Sequence, residues 1–118
     1  MVHQGKWDDV AIITLSDFGR TITSNGKGSD HGWGGMSYIM GGKVKGGRIL
    51  GQYPHDISES SPYFLGRGRA VPTTPWESLW HGVADWLGVP ADKMSTILPN
   101  YKNFPGDLMW TKDDLFKK

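Results

Sequence analysis

Most of the 17 glycines of this chain lie between positions 19 and 51. The usual share is about 7%, and an excess of this size marks a backbone built for turns and close approach. The tryptophans are distributed differently, with four of the six in the last 43 positions, from Trp76 onward. Glycine wealth in one half and tryptophan wealth in the other indicate two differently built segments. Length indicates one domain, 1–118: a chain of 118 residues buries roughly two-thirds of its unfolded surface, enough for a core.

Residues 10–15, Val-Ala-Ile-Ile-Thr-Leu, form a continuous apolar, β-branched run after the turn-like Trp7-Asp8-Asp9. This pattern predicts a strand buried on both faces, as in a sheet covered by helices. From Thr21 to Gly35 the chain is polar and glycine-rich, with an Asn25-Gly26 turn dipeptide, and reads as a long loop. Met36-Ser37-Tyr38-Ile39-Met40 predicts a second strand. Residues 43–45 and 48–53 predict short strands around a Gly46-Gly47 hairpin turn, and residues 54–66 read as irregular.

The helical half is punctuated more clearly. Thr74 is placed to cap a helix, Pro75 suits its first position, and Glu77 completes a capping box. Trp76, Trp80, Val83 and Leu87 recur at helical spacing, widened by Leu79 and Trp86, and the two tryptophans Trp76 and Trp80 are expected in the core. Gly88 and Pro90 end the helix. A second short helix is expected from Ala91 to Leu98, and one turn near Asp113. The fold class is therefore α/β: a small mixed sheet with a tryptophan-rich helix packed on it.

Composition excludes several functions. The formal charge of +1, from 13 basic and 12 acidic side chains, supplies no general attraction for nucleic acid or an anionic membrane. With no cysteine there is neither a disulfide framework nor a thiolate metal site. No run approaches the ~20 apolar residues that span a bilayer, and Met1-Val2-His3-Gln4-Gly5-Lys6 lacks the apolar segment of a signal peptide. The expectation is a cytoplasmic, soluble protein. Gly26-Lys27-Gly28-Ser29 is not a phosphate loop, because it lacks the spacing and the following helix of that motif.

Asp17 follows the first predicted strand, the position where open α/β sheets place functional carboxylates. Asp30 and His31 are neighbours in the glycine-rich loop. Carboxylate and imidazole suit zinc, manganese or magnesium, and a catalytic site takes about three protein ligands plus an open position. Arg20 can clamp a phosphate or sulfate bidentately. Each residue also has an ordinary structural role: Asp17 capping a turn, Asp30 in an Asx-turn, His31 as a surface hydrogen-bonding group, and Arg20 pairing with Asp17 or Asp30. His81 and Asp85, four apart, read as a helix-surface pair. His55-Asp56 reads as part of an irregular loop.

Four motifs in order carry a family resemblance. They are Ser16-Asp17-Phe18-Gly19-Arg20-Thr21, Gly28-Ser29-Asp30-His31-Gly32-Trp33-Gly34-Gly35, Gly41-Gly42-Lys43-Val44-Lys45-Gly46-Gly47-Arg48-Ile49, and Thr73-Thr74-Pro75-Trp76-Glu77 with Leu98-Pro99-Asn100. Together they resemble the C-terminal region of the bacterial domain of unknown function 1501 family, in the alkaline phosphatase and sulfatase superfamily. The resemblance implies hydrolysis of phosphate or sulfate esters at a pair of divalent metals. It implies Asp17 and His31 as metal ligands, with Arg20 and Asp30 in supporting catalytic roles. Phe18 stands where relatives have a histidine. The resemblance also implies that the nucleophile and the first metal-binding aspartate belong to an N-terminal part not in this chain.

Two functions are therefore expected as rivals. One is a metal-binding subdomain or remnant of such a hydrolase, completed by a missing N-terminal segment or by a homo-oligomer that covers exposed sheet edges. The other is a non-enzymatic module that binds a protein partner or polysaccharide. Convergence of Asp17, Asp30 and His31 favours the first; their divergence, with Trp33, Tyr53 and Tyr63 exposed, favours the second.

Overall fold

Local pattern sets where each element starts and stops. The computed structural model describes residues 2–118, so Met1, the first residue of the segment read as lacking an export signal, lies outside the described residues. Its strands are β1 (Ile12–Ile13), β2 (Gly19–Ser24), β3 (Ser29–Gly32), β4 (Ile39–Met40), β5 (Phe64–Leu65) and β6 (Arg69–Ala70). Its helices are α1 (Trp76–Trp86), α2 (Met94–Ile97) and α3 (Lys112–Leu115). β1 pairs with β4, β2 with β3 and β5 with β6, the last two pairs antiparallel. The chain is thus α/β, as its sequence indicates. No helix among the described residues is long and apolar enough to cross a membrane.

The backbone forms two compact units. The first comprises Met1–Ile12, Ile39–Arg48 and Thr74–Lys118, and the second Ile13–Tyr38 and Ile49–Thr73.

In the first unit, α1 begins at Trp76 with Pro75 in the N-cap position and no side-chain cap. The box expected from Thr74 and Glu77 therefore does not form. The helix ends as its glycine predicts. Gly88 takes φ 82°, its N–H donates to the Asp85 carbonyl at 3.0 Å, and Val89 donates to Ala84 at 3.0 Å. That is the paired bonding of a Schellman motif, for which glycine has no Cβ penalty.

The buried face of α1 differs from the tryptophan stripe expected. It consists of Ser78, Gly82, Val83 and Ala84, while Trp76 is 46% exposed and Leu87 70% exposed. The cause is close packing with α3. A Cβ at Gly82 would lie 2.6 Å from Leu115 Cδ1 and 3.0 Å from the Thr111 carbonyl oxygen, so only small residues admit that approach. Leu115, 1% exposed, fills the space, and Trp86 stacks on Phe116 with ring centroids 4.4 Å apart. Trp76 stacks on Trp80 at 6.4 Å, half in solvent.

Residues 43–45 do not form the expected hairpin with 48–53. They run antiparallel to the C-terminus instead: Val44 bridges to Phe116, Lys45 N–H donates to Leu115 at 2.8 Å and Lys117 N–H to Lys43 at 2.6 Å. His81 and Asp85 do not pair with each other. The His81 Nδ1–H donates to the Trp110 carbonyl at 2.8 Å, and the Asp85 carboxylate accepts the Lys112 N–H at 2.9 Å. Both groups anchor the C-terminal segment on α1.

α3 carries the capping box. Thr111 N–H donates to the Asp114 carboxylate at 2.7 Å and the Thr111 hydroxyl at 2.8 Å. These bonds hold Asp114 below its ordinary value of 3.8, the backbone N–H of Thr111 being the largest cause. Thr111→Ala is expected to cost about 1 kcal/mol in chemical denaturation. A carboxylate whose folded pKa is lowered stabilises fully above its ordinary value and loses that contribution as pH falls through the folded one. The gap in stability between wild type and Asp114→Asn should therefore narrow only below about pH 4.

Two further readings are corrected. The run at residues 10–15 yields only the two-residue β1, and Leu15 is 64% exposed, so this is not a strand buried on both faces. The stretch expected to be a loop is instead the best-formed hairpin of the chain, β2 with β3. Its signal was the β-branched Thr21-Ile22-Thr23 before Asn25-Gly26, a turn flanked by strand formers. The Asn25 carboxamide oxygen accepts the Lys27 N–H at 2.9 Å, and Asn25 N–H donates to Gly28 at 2.9 Å. The second hairpin, β5–β6, joins the first through Ile22 N–H to Gly68 at 3.0 Å and Gly34 N–H to Ala70 at 2.8 Å.

Candidate functional site

The hairpin β2–β3 carries three of the four residues singled out from sequence, and strand geometry sorts them. Arg20 and His31 are direct partners across the two strands, and opposed residues project from the same face. Asp30 precedes His31 on β3, and successive strand residues project to opposite faces. Asp30 and His31 therefore diverge.

On one face, the His31 ring stacks on Phe18, with centroids 3.9 Å apart and planes at 25°. The Arg20 guanidinium lies over the same Phe18 ring at 5.0 Å, a cation–π arrangement. Arg20 Nη1 donates to the Ser29 carbonyl at 2.8 Å, leaving the rest of its fork to solvent. Arg20 pairs with neither Asp17 nor Asp30, contrary to the structural role expected of it. Phe18, where the family resemblance puts a histidine, is the surface on which the Arg20 and His31 side chains rest.

On the other face, Asp30 is engaged. Asn25 Nδ2 donates to Oδ1 at 2.8 Å, and Arg67 Nη1 lies 2.9 Å from Oδ2. The bond from Asn25 is the largest influence holding the Asp30 carboxyl below its ordinary 3.8, and the nearby charges of Arg67, Arg69 and His31 act in the same direction. Its backbone N–H donates to Thr21 Oγ1 at 3.0 Å. Thr21 is itself buried, so the strand is tied down from within.

Arg67 was the partner that sequence reading missed. The only signal was an arginine between two glycines, Gly66-Arg67-Gly68. It takes φ 66° and Gly68 takes φ 68°, a left-handed turn that brings β6 back along β5. Arg67→Ala should release the acid: the Asp30 carboxyl, followed by carbon-13 NMR titration, is expected to titrate closer to 3.8. An unchanged midpoint would show that Arg67 has no part in holding it down.

Asp17 lies apart from these residues, exposed in the link between β1 and β2. The turn it was expected to cap is closed by Ser16, whose hydroxyl donates to the Phe18 carbonyl at 2.8 Å. Among the described residues, no group of three or more His, Asp or Glu side chains is arranged to hold a metal ion. The donor chemistry agrees: the Asp30 carboxylate is already neutralised by Arg67, and a cation there would have to displace it. The residues present do not by themselves fit a catalytic metal centre, which takes about three protein ligands.

In the His55-Asp56 loop, Asp56 closes an Asx-turn, accepting from the Ser58 N–H at 2.8 Å and the Ser58 hydroxyl at 3.0 Å. The backbone N–H of Ser58 is the main reason the Asp56 carboxyl also sits below its ordinary 3.8.

Compared with known proteins, residues 1–61 match the model of one family, described as a protein of unknown function (DUF1501). No curated protein and no solved structure matches the chain. The matched residues take in β1 to β4 and all four of Asp17, Arg20, Asp30 and His31; α1 lies beyond them.

Proposed function

The chain belongs to the DUF1501 family, and on that premise we propose that its second unit forms one wall of a site for phosphate or sulfate esters, in a hydrolase of the alkaline phosphatase type. The observation that carries this reading is the pairing of Arg20 opposite His31 on one face of β2–β3. An ester oxyanion needs several donors, and a guanidinium on the strand position opposite an imidazole offers them from one face of the hairpin. Arg20 retains four of the five guanidinium N–H donors after its bond to Ser29, and its guanidinium rests over the Phe18 ring.

In this reading Arg20 binds and orients the anion, and His31 donates to it or moves a proton at the ester oxygen. Asp30 has a positioning role. Its pair with Arg67 holds β3 against the β5–β6 turn and so fixes where His31 stands. In this reading the nucleophile comes from another segment of a longer protein. In a complete site that holds a divalent metal, Asp17 and His31 would instead be this chain's share of its ligands, the metal would supply Lewis-acid chemistry, and Arg20 would be the group left to bind the anion.

The test is a titration of the amide spectrum with inorganic phosphate and with sulfate at low salt. Shifts are expected at residues 18–21 and 29–32, weakened about fivefold in Arg20→Ala, since exposed charged contacts are each worth only about 1 kcal/mol. Added salt should weaken them further. Elemental mass spectrometry on the same samples addresses the metal: stoichiometric metal abolished by both Asp17→Ala and His31→Ala would support it. Anion titrations that leave residues 18–32 unmoved, together with metal content indifferent to both substitutions, would sink the hydrolase reading.

A further inference from the structure

The second unit has another concave surface, built from residues with no part in the Arg20–His31 face. Ile49, Gly51, Gln52, Tyr53, His55 and Tyr63 line a cavity of about 520 Å³, within the range of small-ligand pockets. We propose that this groove is a carbohydrate subsite, taking one or two sugar residues of an uncharged polysaccharide.

The argument starts from what the lining lacks. No lysine, arginine, aspartate or glutamate contributes to it. The nearest acid in sequence, Asp56, spends its carboxylate on Ser58. A phosphate, a sulfate or a cation would find no counter-charge here. What the lining offers is two phenol rings, one isoleucine, a carboxamide and an imidazole. Each aromatic joins an apolar face to a polar tip. A pyranose has the complementary chemistry: an apolar face of C–H bonds and a rim of hydroxyls that both donate and accept.

The backbone favours a preformed groove. Gly51 takes φ 78°, a turn that side-chain-bearing residues rarely adopt, and Pro54 fixes φ just beyond it. Gly51 sets the turn, and Pro54 restricts the backbone between the lining residues Tyr53 and His55. Tyr53 is 52% exposed, whereas Tyr63 is half-buried beside the buried Phe64. One ring is therefore available as a stacking platform and the other as a fixed wall. Proline-rich peptides also dock in aromatic grooves. Their backbone offers carbonyl acceptors only, which would leave the acceptor sides of Gln52 and His55 unused, so a sugar is the better match.

The test uses the intact chain and cellohexaose and mannohexaose as probes, followed by amide chemical shifts, with decaproline as a third titrant. At least one hexasaccharide is expected to shift the amides of residues 49–63. Tyr53→Ala should weaken that binding about tenfold, while Tyr53→Phe, which keeps the ring, should stay within about threefold. Gln52→Ala gives a second reading where a tyrosine change disturbs folding, with an expected loss of about fivefold. Arg20→Ala should leave the binding unchanged, which separates this site from the ester site. The proposal is overturned if neither hexasaccharide moves residues 49–63, if decaproline alone does so, or if binding survives both Tyr53→Ala and Gln52→Ala.

Discussion

Leu115→Ala is expected to destabilise the first unit by about 3 kcal/mol, within the 2–5 kcal/mol typical of a fully buried leucine. Leu115 is 1% exposed and sits against Gly82, where a Cβ would come within 2.6 Å of its Cδ1. The glycine has no side chain with which to fill the void, and the backbone of α1 is already at its closest approach, so the cavity stays open. A domain has only about 5–15 kcal/mol of net stability, so a loss of about 3 kcal/mol removes a large share of it. Equilibrium urea denaturation followed by tryptophan fluorescence reads it directly, through Trp76, Trp80, Trp86 and Trp110. A loss under 1 kcal/mol would mean that the contact of α3 with α1 does not hold this unit together. Leu115→Met, which keeps the volume, is expected to cost less than about 1.5 kcal/mol.

The second large effect lies in the other unit. In Gly19→Ala, the new Cβ would stand 2.1 Å from the Gly34 carbonyl oxygen and 2.9 Å from its carbon. Backbone atoms cannot swing aside as the end of a long side chain can. Either β2 separates from the segment after β3, or Gly34 gives up its 2.8 Å bond to Ala70. The expected cost is about 3 kcal/mol, the upper end for an overpacked site. Hydrogen exchange at the amides of residues 20–23 should accelerate about a hundredfold. Gly46→Ala is the control, because a Cβ there meets nothing within 4 Å and φ is not positive; it should be neutral or slightly stabilising. Because Arg20 follows Gly19 directly, Gly19→Ala should also abolish the anion-dependent shifts at residues 18–21. If protection survives but those shifts vanish, the glycine matters to the binding face rather than to the fold.

The candidate residues were legible to different degrees. Arg20 and His31 were identified from sequence as residues of one locality, and the hairpin pairs them. Their arrangement on the Phe18 ring was not legible, because a stack between residues 13 positions apart leaves no periodic trace. Asp30 was grouped with His31 because they are neighbours in the chain. In a loop two neighbours can converge; in a strand they cannot. That single difference, strand instead of loop over residues 29–32, separates two neighbours sharing one cavity from an Asp30 ion pair with Arg67. Tyr53 and Tyr63 were singled out as exposed aromatics, but the groove they share with Ile49 and His55 depends on how residues 49–63 fold back.

Chain sequence by itself determined where the helices lie and where they stop; the expected helix from Ala91 is an α-helix only over Met94–Ile97. α1 follows Pro75 and stops at Gly88, α2 stops short of Pro99, and α3 forms around Asp113, because a helix is made by bonds and caps within a few residues. It also determined the α/β character and the turn at Asn25-Gly26, which rests on local conformational preference. Only the tertiary structure decided which face of α1 is buried. The tryptophans have the greater hydrophobicity, yet the close approach of α3 requires the small face of Ser78, Gly82 and Ala84. It alone paired residues 43–45 with the C-terminus and Asp30 with Arg67. These contacts join positions tens of residues apart, and their energy exists only once chain closure has brought them together.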